Sequence, residues 1–219
     1  MQIRLIIFDF DGTLGDTRAN IVRTMQETMA AMDYPLAGEE AIAATIGLPL
    51  EDCFAQLLPD LSPEGRKRCA AVYRDIFEKN RRILVPQLFP HVRETLFPLR
   101  DQGLVMTVAS SRSSRSLNEF LQEMGIADCI SYVLGADNVT RAKPDPEPVC
   151  KTLRELGFSP EETFVVGDMP VDIEMGRRAG AHTCAVTYGN ASREALRQSG
   201  AEFLIDDFQE LPEILSSNH

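Results

Sequence analysis

The chain has 219 residues, 44% hydrophobic and 25% charged, and its 22 basic and 33 acidic side chains give a net charge of −11. At roughly 150 residues per domain, that length means between one and two domains, enough to bury a core without disulfide or metal staples. The acidity argues against partners held by nonspecific attraction, so neither nucleic acid nor a membrane surface is expected.

Five scattered cysteines, Cys53, Cys69, Cys129, Cys150 and Cys184, contain no C-x-x-C pair and fit neither a disulfide framework nor a zinc site. Carboxylates interrupt the N-terminal apolar run before it could resemble a signal peptide, and no run approaches the ~20 apolar residues of a membrane span. Reduced thiols and a cytoplasmic location are the expectation.

In chain order, Ile3 to Phe8 is nearly continuous β-prone apolar sequence, as expected of a central parallel strand buried on both faces. From about Asp16 to Leu84 the spacing turns helical: Ile21, Val22, Met25, Met29 and Met32, then Leu50, Phe54, Leu57 and Leu58, then Cys69, Val72, Tyr73, Ile76 and Phe77. The methionines read as core stripe, and Arg66, Lys67 and Arg68 as a solvated helix face. Ser62 and Pro63 mark a helix start. Short strands then recur at Leu104 to Ala109, Ser131 to Leu134, Thr163 to Val166 and His182 to Val186, with helices ending near Gly125 and Gly157. The pattern predicts a doubly wound α/β parallel sheet, residues 1–15 and 85–219, interrupted by an all-helical insertion over 16–84. Pro98 is expected to kink or shorten the helix before Gly103.

The chemistry concentrates at strand ends. In Asp9-Phe10-Asp11-Gly12-Thr13, residues i and i+2 of an extended chain face the same way, so Asp9 and Asp11 can converge. Two such carboxylates repel unless a cation or proton compensates. Alone, the pair reads equally as turn and helix caps or as a metal and catalytic site. Asp168 ends a later strand and Asp172 lies in the following helix's first turn, where it could lean back toward Asp168 or simply complement the helix dipole. Four carboxylates from two strand ends are hard to hold together without a hard divalent cation, and Mg²⁺ fits best.

An anion-binding half is offered by Ser110 and Ser111, whose hydroxyls and N–H groups precede a helix. A plain N-cap is a rival reading of Ser110. Lys143 is launched from a fixed point before Pro144.

The ordered set D-x-D-G-T, Ser, Lys-Pro and Gly-Asp-x-x-x-Asp resembles the haloacid dehalogenase-like hydrolase superfamily, over essentially the whole chain. It is most similar to phosphoglycolate phosphatase-like enzymes, a group that includes pyrophosphatase and β-phosphoglucomutase relatives. The resemblance implies a Mg²⁺-dependent phosphatase of a small phosphorylated metabolite, with a β-phosphoglucomutase-like isomerase or a pyrophosphatase as alternatives. It implies Asp9 as nucleophile and Asp11 as general acid and base. Mg²⁺ would be held by the Asp9 carboxylate, the Asp11 main-chain carbonyl, Asp168 and Asp172. Ser110, Ser111 and Lys143 would bind the phosphate. The helical insertion would be a cap closing over the site, with Gly47-Leu48-Pro49-Leu50 either a loop that points into the cleft, as in such caps, or equally a turn joining two helices. Because Asp11 is present, phosphoryl chemistry is favoured over dehalogenation, whose halide leaving group needs no proton. His91 stands where such relatives usually carry glycine, and Met169-Pro170 is bulkier than usual. Asp16-Thr17 falls at the expected hinge, with Thr17 available to cap the next helix.

Overall fold

The computed structural model describes residues 2–217; residues 1, 218 and 219, ends of the expected core segments, lie outside the described residues. β1 (Leu5–Phe8) is buried at every position, as its unbroken apolar sequence requires. A two-residue β2 (Gly15–Asp16) leads into four helices: α1 (Arg18–Ala31), α2 (Glu39–Ala43), α3 (Leu50–Leu57) and α4 (Pro63–Asn80). The chain returns through β3 (Gln87–Leu88), which pairs antiparallel with β2 and closes the neck of the insertion. Then follow α5 (Val92–Asp101), β4 (Val105–Ala109), α6 (Ser114–Glu123), β5 (Tyr132–Leu134), α7 (Glu147–Leu156), β6 (Thr163–Gly167), α8 (Pro170–Arg178), β7 (His182–Val186), α9 (Arg193–Gln198), β8 (Phe203–Ile205) and α10 (Leu211–Ser217).

The main sheet is parallel throughout, in the order β5-β4-β1-β6-β7-β8. β1 therefore sits between β4 and β6, and the sheet is wound in both directions from this centre. One face is filled by Ile6, Phe8, Phe164 and Val166, the other by Leu5, Ile7 and Val165. In the insertion, Met25, Met29, Phe54, Cys69 and Tyr73 join the larger core cluster, so the methionine stripe is core. Ser62 accepts from the Gly65 N–H at 3.1 Å with Pro63 at the first helical position.

Three details depart from expectation. β8, the apolar run Phe203–Ile205, and the two-residue strands of the β2–β3 neck were not among the expected elements. α5 runs through Pro98 to Asp101 instead of stopping, so the proline does not shorten it. His91 stands at the N-terminus of α5 with φ 61°, a left-handed conformation that explains why glycine suits that position. Its Nδ1 pairs with Asp207 at 2.8 Å, away from the strand-end aspartates. All five cysteines are free thiols, with only Cys150 exposed. No helix among the described residues is long and apolar enough to cross a membrane.

Candidate active site

The topology assembles the site. In register, Phe8 lies beside Val108 of β4 and Val166 of β6, so Asp9, Ser110 and Asp168 emerge together from three adjacent carboxyl ends. The Asp9 N–H still donates to the Val166 carbonyl, which fixes its start.

Oxygens of Asp9, Asp168 and Asp172 lie within 4.8 Å of one another, and all three residues are buried. A single cation answers them: Lys143 Nζ is 2.5 Å from Asp9 Oδ1 and 2.6 Å from Asp172 Oδ1. Burial works against the charged ammonium, but Asp172 and Asp9 outweigh it and hold Lys143 firmly protonated. Asp168 is positioned by Thr13 Oγ1 at 3.2 Å and by Asn190, whose N–H and Nδ2 reach Oδ2 at 2.7 and 2.9 Å. Asp172 Oδ2 accepts from the Met169 N–H at 3.0 Å, so this aspartate both caps α8 and faces the cluster.

Asp9 Oδ2 is buried and has no hydrogen-bond partner. Burial, then the neighbouring aspartates, push the Asp9 carboxyl well above the ordinary range despite Lys143. Asp168 is raised to about 7 by burial and by Asp172, against the Asn190 hydrogen bonds. An orphaned buried oxygen in an all-carboxylate cluster with one counter-charge is the donor set of a hard divalent cation, and these three residues could hold one. Gly12 is required beside it: with φ +90°, a Cβ there would fall 2.1 Å from Asp168 Oδ2.

Asp11 does not converge on Asp9. Its carboxylate turns to Arg112, whose Nε lies 2.6 Å from Oδ2 and Nη2 2.6 Å from Oδ1, and it accepts from Thr17 Oγ1 at 2.5 Å. Thr17 thus precedes α1 without capping it through its side chain. The expected metal contribution of Asp11 was its main-chain carbonyl, which this orientation leaves unaffected.

Ser110 is not the helix cap; Ser113 is, accepting from the Ser116 N–H. The Ser110 oxygen accepts from the Arg112 N–H at 3.3 Å, leaving its proton free to donate. Ser111 gives its hydroxyl to the Gly47 carbonyl at 2.5 Å, so it has only its N–H to offer an anion. That bond ties the Gly47 loop of the insertion to the core.

A cavity of about 900 Å³ opens from Asp11 between the inserted helices and the core. Gly47, Leu48 and Pro49 line it on one side, and Ser111, Arg112 and Ser116 on the other.

Arg112, Thr13 and Asn190 are site residues with no role evident from the sequence alone. Arg112 carries a positional signal, two residues past the strand-end serine, but an arginine before a helix normally reads as solvated. Asn190 follows Gly189 after β7, and only the strand order brings that turn over Asp168.

Residues 6–186 match the family model described as haloacid dehalogenase-like hydrolase. The chain is 36% identical over 213 residues to the Dickeya dadantii protein named Probable phosphatase IndB, covering 94% of this chain and 91% of that protein. It is 29% identical to the phosphoglycolate phosphatase of Vibrio cholerae, covering 98% and 97%. A haloacid dehalogenase-like family hydrolase from Streptococcus pneumoniae superposes with a TM-score of 0.85 at 22% identity, over 97% of this chain and 98% of that one, a likeness of fold. With the aspartates, lysine and serine gathered at adjacent strand ends, the chain belongs to the haloacid dehalogenase-like hydrolase family and is one of its phosphatases.

Proposed function

We propose that this phosphatase is Mg²⁺-dependent and hydrolyses a small phosphorylated metabolite in the cytoplasm through an aspartyl-phosphate on Asp9, with phosphoglycolate the first candidate. The observation that carries the reading is Asp9 Oδ2, buried and unpartnered, in a carboxylate whose other oxygen is held by Lys143. That is a nucleophile fixed in orientation with one lone-pair face left over.

Asp9 attacks phosphorus and the ester oxygen departs with the bonding pair. Asp11, buried in the cavity lining, gives that oxygen its proton and then takes one from the water that cleaves the acyl phosphate. Ser110, its hydroxyl proton uncommitted, and the N–H of Ser111 grip the phosphoryl oxygens. Lys143 neutralises both Asp9 and the group in transfer. Since phosphoryl transfer passes through a loose transition state, most of this catalysis is positioning and charge. Asp9, Asp168 and Asp172, with the Asp11 carbonyl, would hold Mg²⁺, which when bound supplies positive charge that screens nucleophile from substrate. The inserted helices act as a cap that excludes water and contacts the leaving group.

The test is phosphate release from an aryl phosphate with Mg²⁺. The expected result is turnover that EDTA silences and Mg²⁺ restores, and that falls about a thousandfold or more in Asp9→Asn with an unchanged circular dichroism spectrum. Turnover indifferent to chelation would sink the metal assignment. Conversion of a sugar 1-phosphate to the 6-phosphate without phosphate release would replace hydrolysis by isomerisation.

A further inference from the structure

The cavity has one basic side chain built into its wall. Arg74 and Arg115 also line it but are exposed, whereas the Arg112 side chain is 12% exposed. Its guanidinium sits 4.8 Å from the Phe77 ring centroid, on an inserted helix, and 4.9 Å from that of Phe120, on the core. Such stacking fixes the plane of the fork and compensates part of its desolvation. Nε and Nη2 grip the Asp11 carboxylate, and Nη1 has no protein partner among the described residues. In the first turn of α6, Ser116 Oγ is buried without a hydrogen bond on the same cavity wall. Tyr73, edge-on to Phe54 and stacked on Phe77, lines the cavity too.

These groups are arranged for a planar anion, and Asp11 occupies the place meanwhile. Both Asp11 oxygens are engaged, Oδ1 by Thr17 and Arg112 and Oδ2 by Arg112. A leaving-group oxygen reaches Asp11 only when Arg112 yields at least one contact. If nothing replaces that contact, a largely buried guanidinium loses its counter-charge, which is strongly unfavourable. A substrate with its own anionic group supplies the replacement. Elsewhere the cavity is lined by Glu51, Asp52, Asp75 and Glu78, which repel an anion.

We propose that Arg112, with Ser116 and Tyr73, determines specificity by binding a second anionic group of the substrate, a carboxylate or a second phosphoryl group close to the scissile ester oxygen. The closeness follows from the contact with Asp11: an anion at the far end of a long metabolite does not reach a fork that now holds the acid for the ester oxygen. The inference rests on the phosphatase reading above and narrows it to small substrates with two anionic groups.

The experiment compares kcat/KM with Mg²⁺ for phosphoglycolate, for 2-hydroxyethyl phosphate, which has the same length and a neutral end, and for inorganic pyrophosphate. The wild type is expected to favour at least one of the two anionic substrates over the neutral one by roughly tenfold to a hundredfold, the worth of hydrogen bonds to a charged group. The preferred anion tells carboxylate from phosphoryl. In Arg112→Gln that preference falls to within about threefold, and Arg112→Lys restores part of it. Equal use of all three by the wild type, or a uniform loss in Arg112→Gln with the preference intact, would overturn the inference and leave Arg112 a holder of Asp11.

Binding to Asp9→Asn by calorimetry needs no turnover and separates the two readings. Absence of phosphate release by the wild type from every substrate defeats the phosphatase reading. Tighter binding of phosphoglycolate or pyrophosphate than of hydroxyethyl phosphate, lost on adding Arg112→Gln, still supports the anion subsite, and equal affinities refute it.

Discussion

At the scale of the residue, Lys143 is the counterweight of the site. One ammonium touches Asp9 and Asp172 while Asp168 stands within the same cluster. Removing one partner of a buried ionic group leaves the rest uncompensated, at about 3–5 kcal/mol. Lys143→Met is therefore expected to lose about that much stability in metal-free urea titrations and to regain part of it with Mg²⁺, since the cation takes over the compensation. A variant as stable as the wild type in EDTA would show that the carboxylates need no counter-charge. Aspartates, lysine and serine were each ambiguous alone and drew attention only through the order of their motifs; the structure brings Asp9, Asp168, Asp172 and Lys143 together. The partner of Asp11 was not legible in the sequence: i and i+2 geometry put both carboxylates on one side, but the chain turns after Phe10, and Thr17 and Arg112 draw Asp11 away from Asp9. Long-range pairs such as Asp11–Arg112 and Asp168–Asn190 depend on strand order, which local spacing does not encode.

At the scale of the element, local chemistry was readable where one residue decides an end. α7 stops at Gly157 in the left-handed region, and α4 begins at Ser62 with Pro63 behind it. Ser62→Ala should cost about 1 kcal/mol, seen as a lower midpoint in chemical denaturation with the slope unchanged. No change would mean that the free Gly65 N–H finds water at no cost. Ser110 shows the limit of such reading: the true cap is three residues later, and only the position of α6 decides between them. The elements also explain how insertion and core are joined. Arg81, one residue past α4, reaches Glu119 at 2.7 Å and Glu123 at 2.6 Å on α6 and stacks 4.7 Å from Phe120. Ser111 on the Gly47 carbonyl and Thr17 on Asp11 add further ties between insertion and core.

At the scale of the whole molecule, the fold gathers acid at one point and carries the cost in pH-dependent stability. In the metal-free folded chain Asp168 keeps its proton to about pH 7, whereas an unfolded aspartate releases it near 3.8. Across that window the folded form binds more protons, so stability falls as pH rises from about 4 to 7, the reverse of an ordinary salt-bridged aspartate. A divalent cation selects the ionised carboxylates, so Mg²⁺ should raise the melting temperature more at pH 8 than at pH 5. Equal Mg²⁺ effects at both values would place the bound ion elsewhere. The length between one and two domains resolves physically into one sheet interrupted by helices, an arrangement the change from strand to helical periodicity near Asp16 made visible. The cavity was invisible to it, because it arises only where the Gly47 loop meets Ser111 and Arg112.

Every step of the proposed reaction depends on Asp9 carrying the phosphoryl group between substrate and water. Rapid acid quench during steady-state turnover, followed by peptide mass mapping, tests it directly. A phosphoryl group on Asp9 is the expected result, and one found on any other side chain would refute the aspartyl-phosphate route.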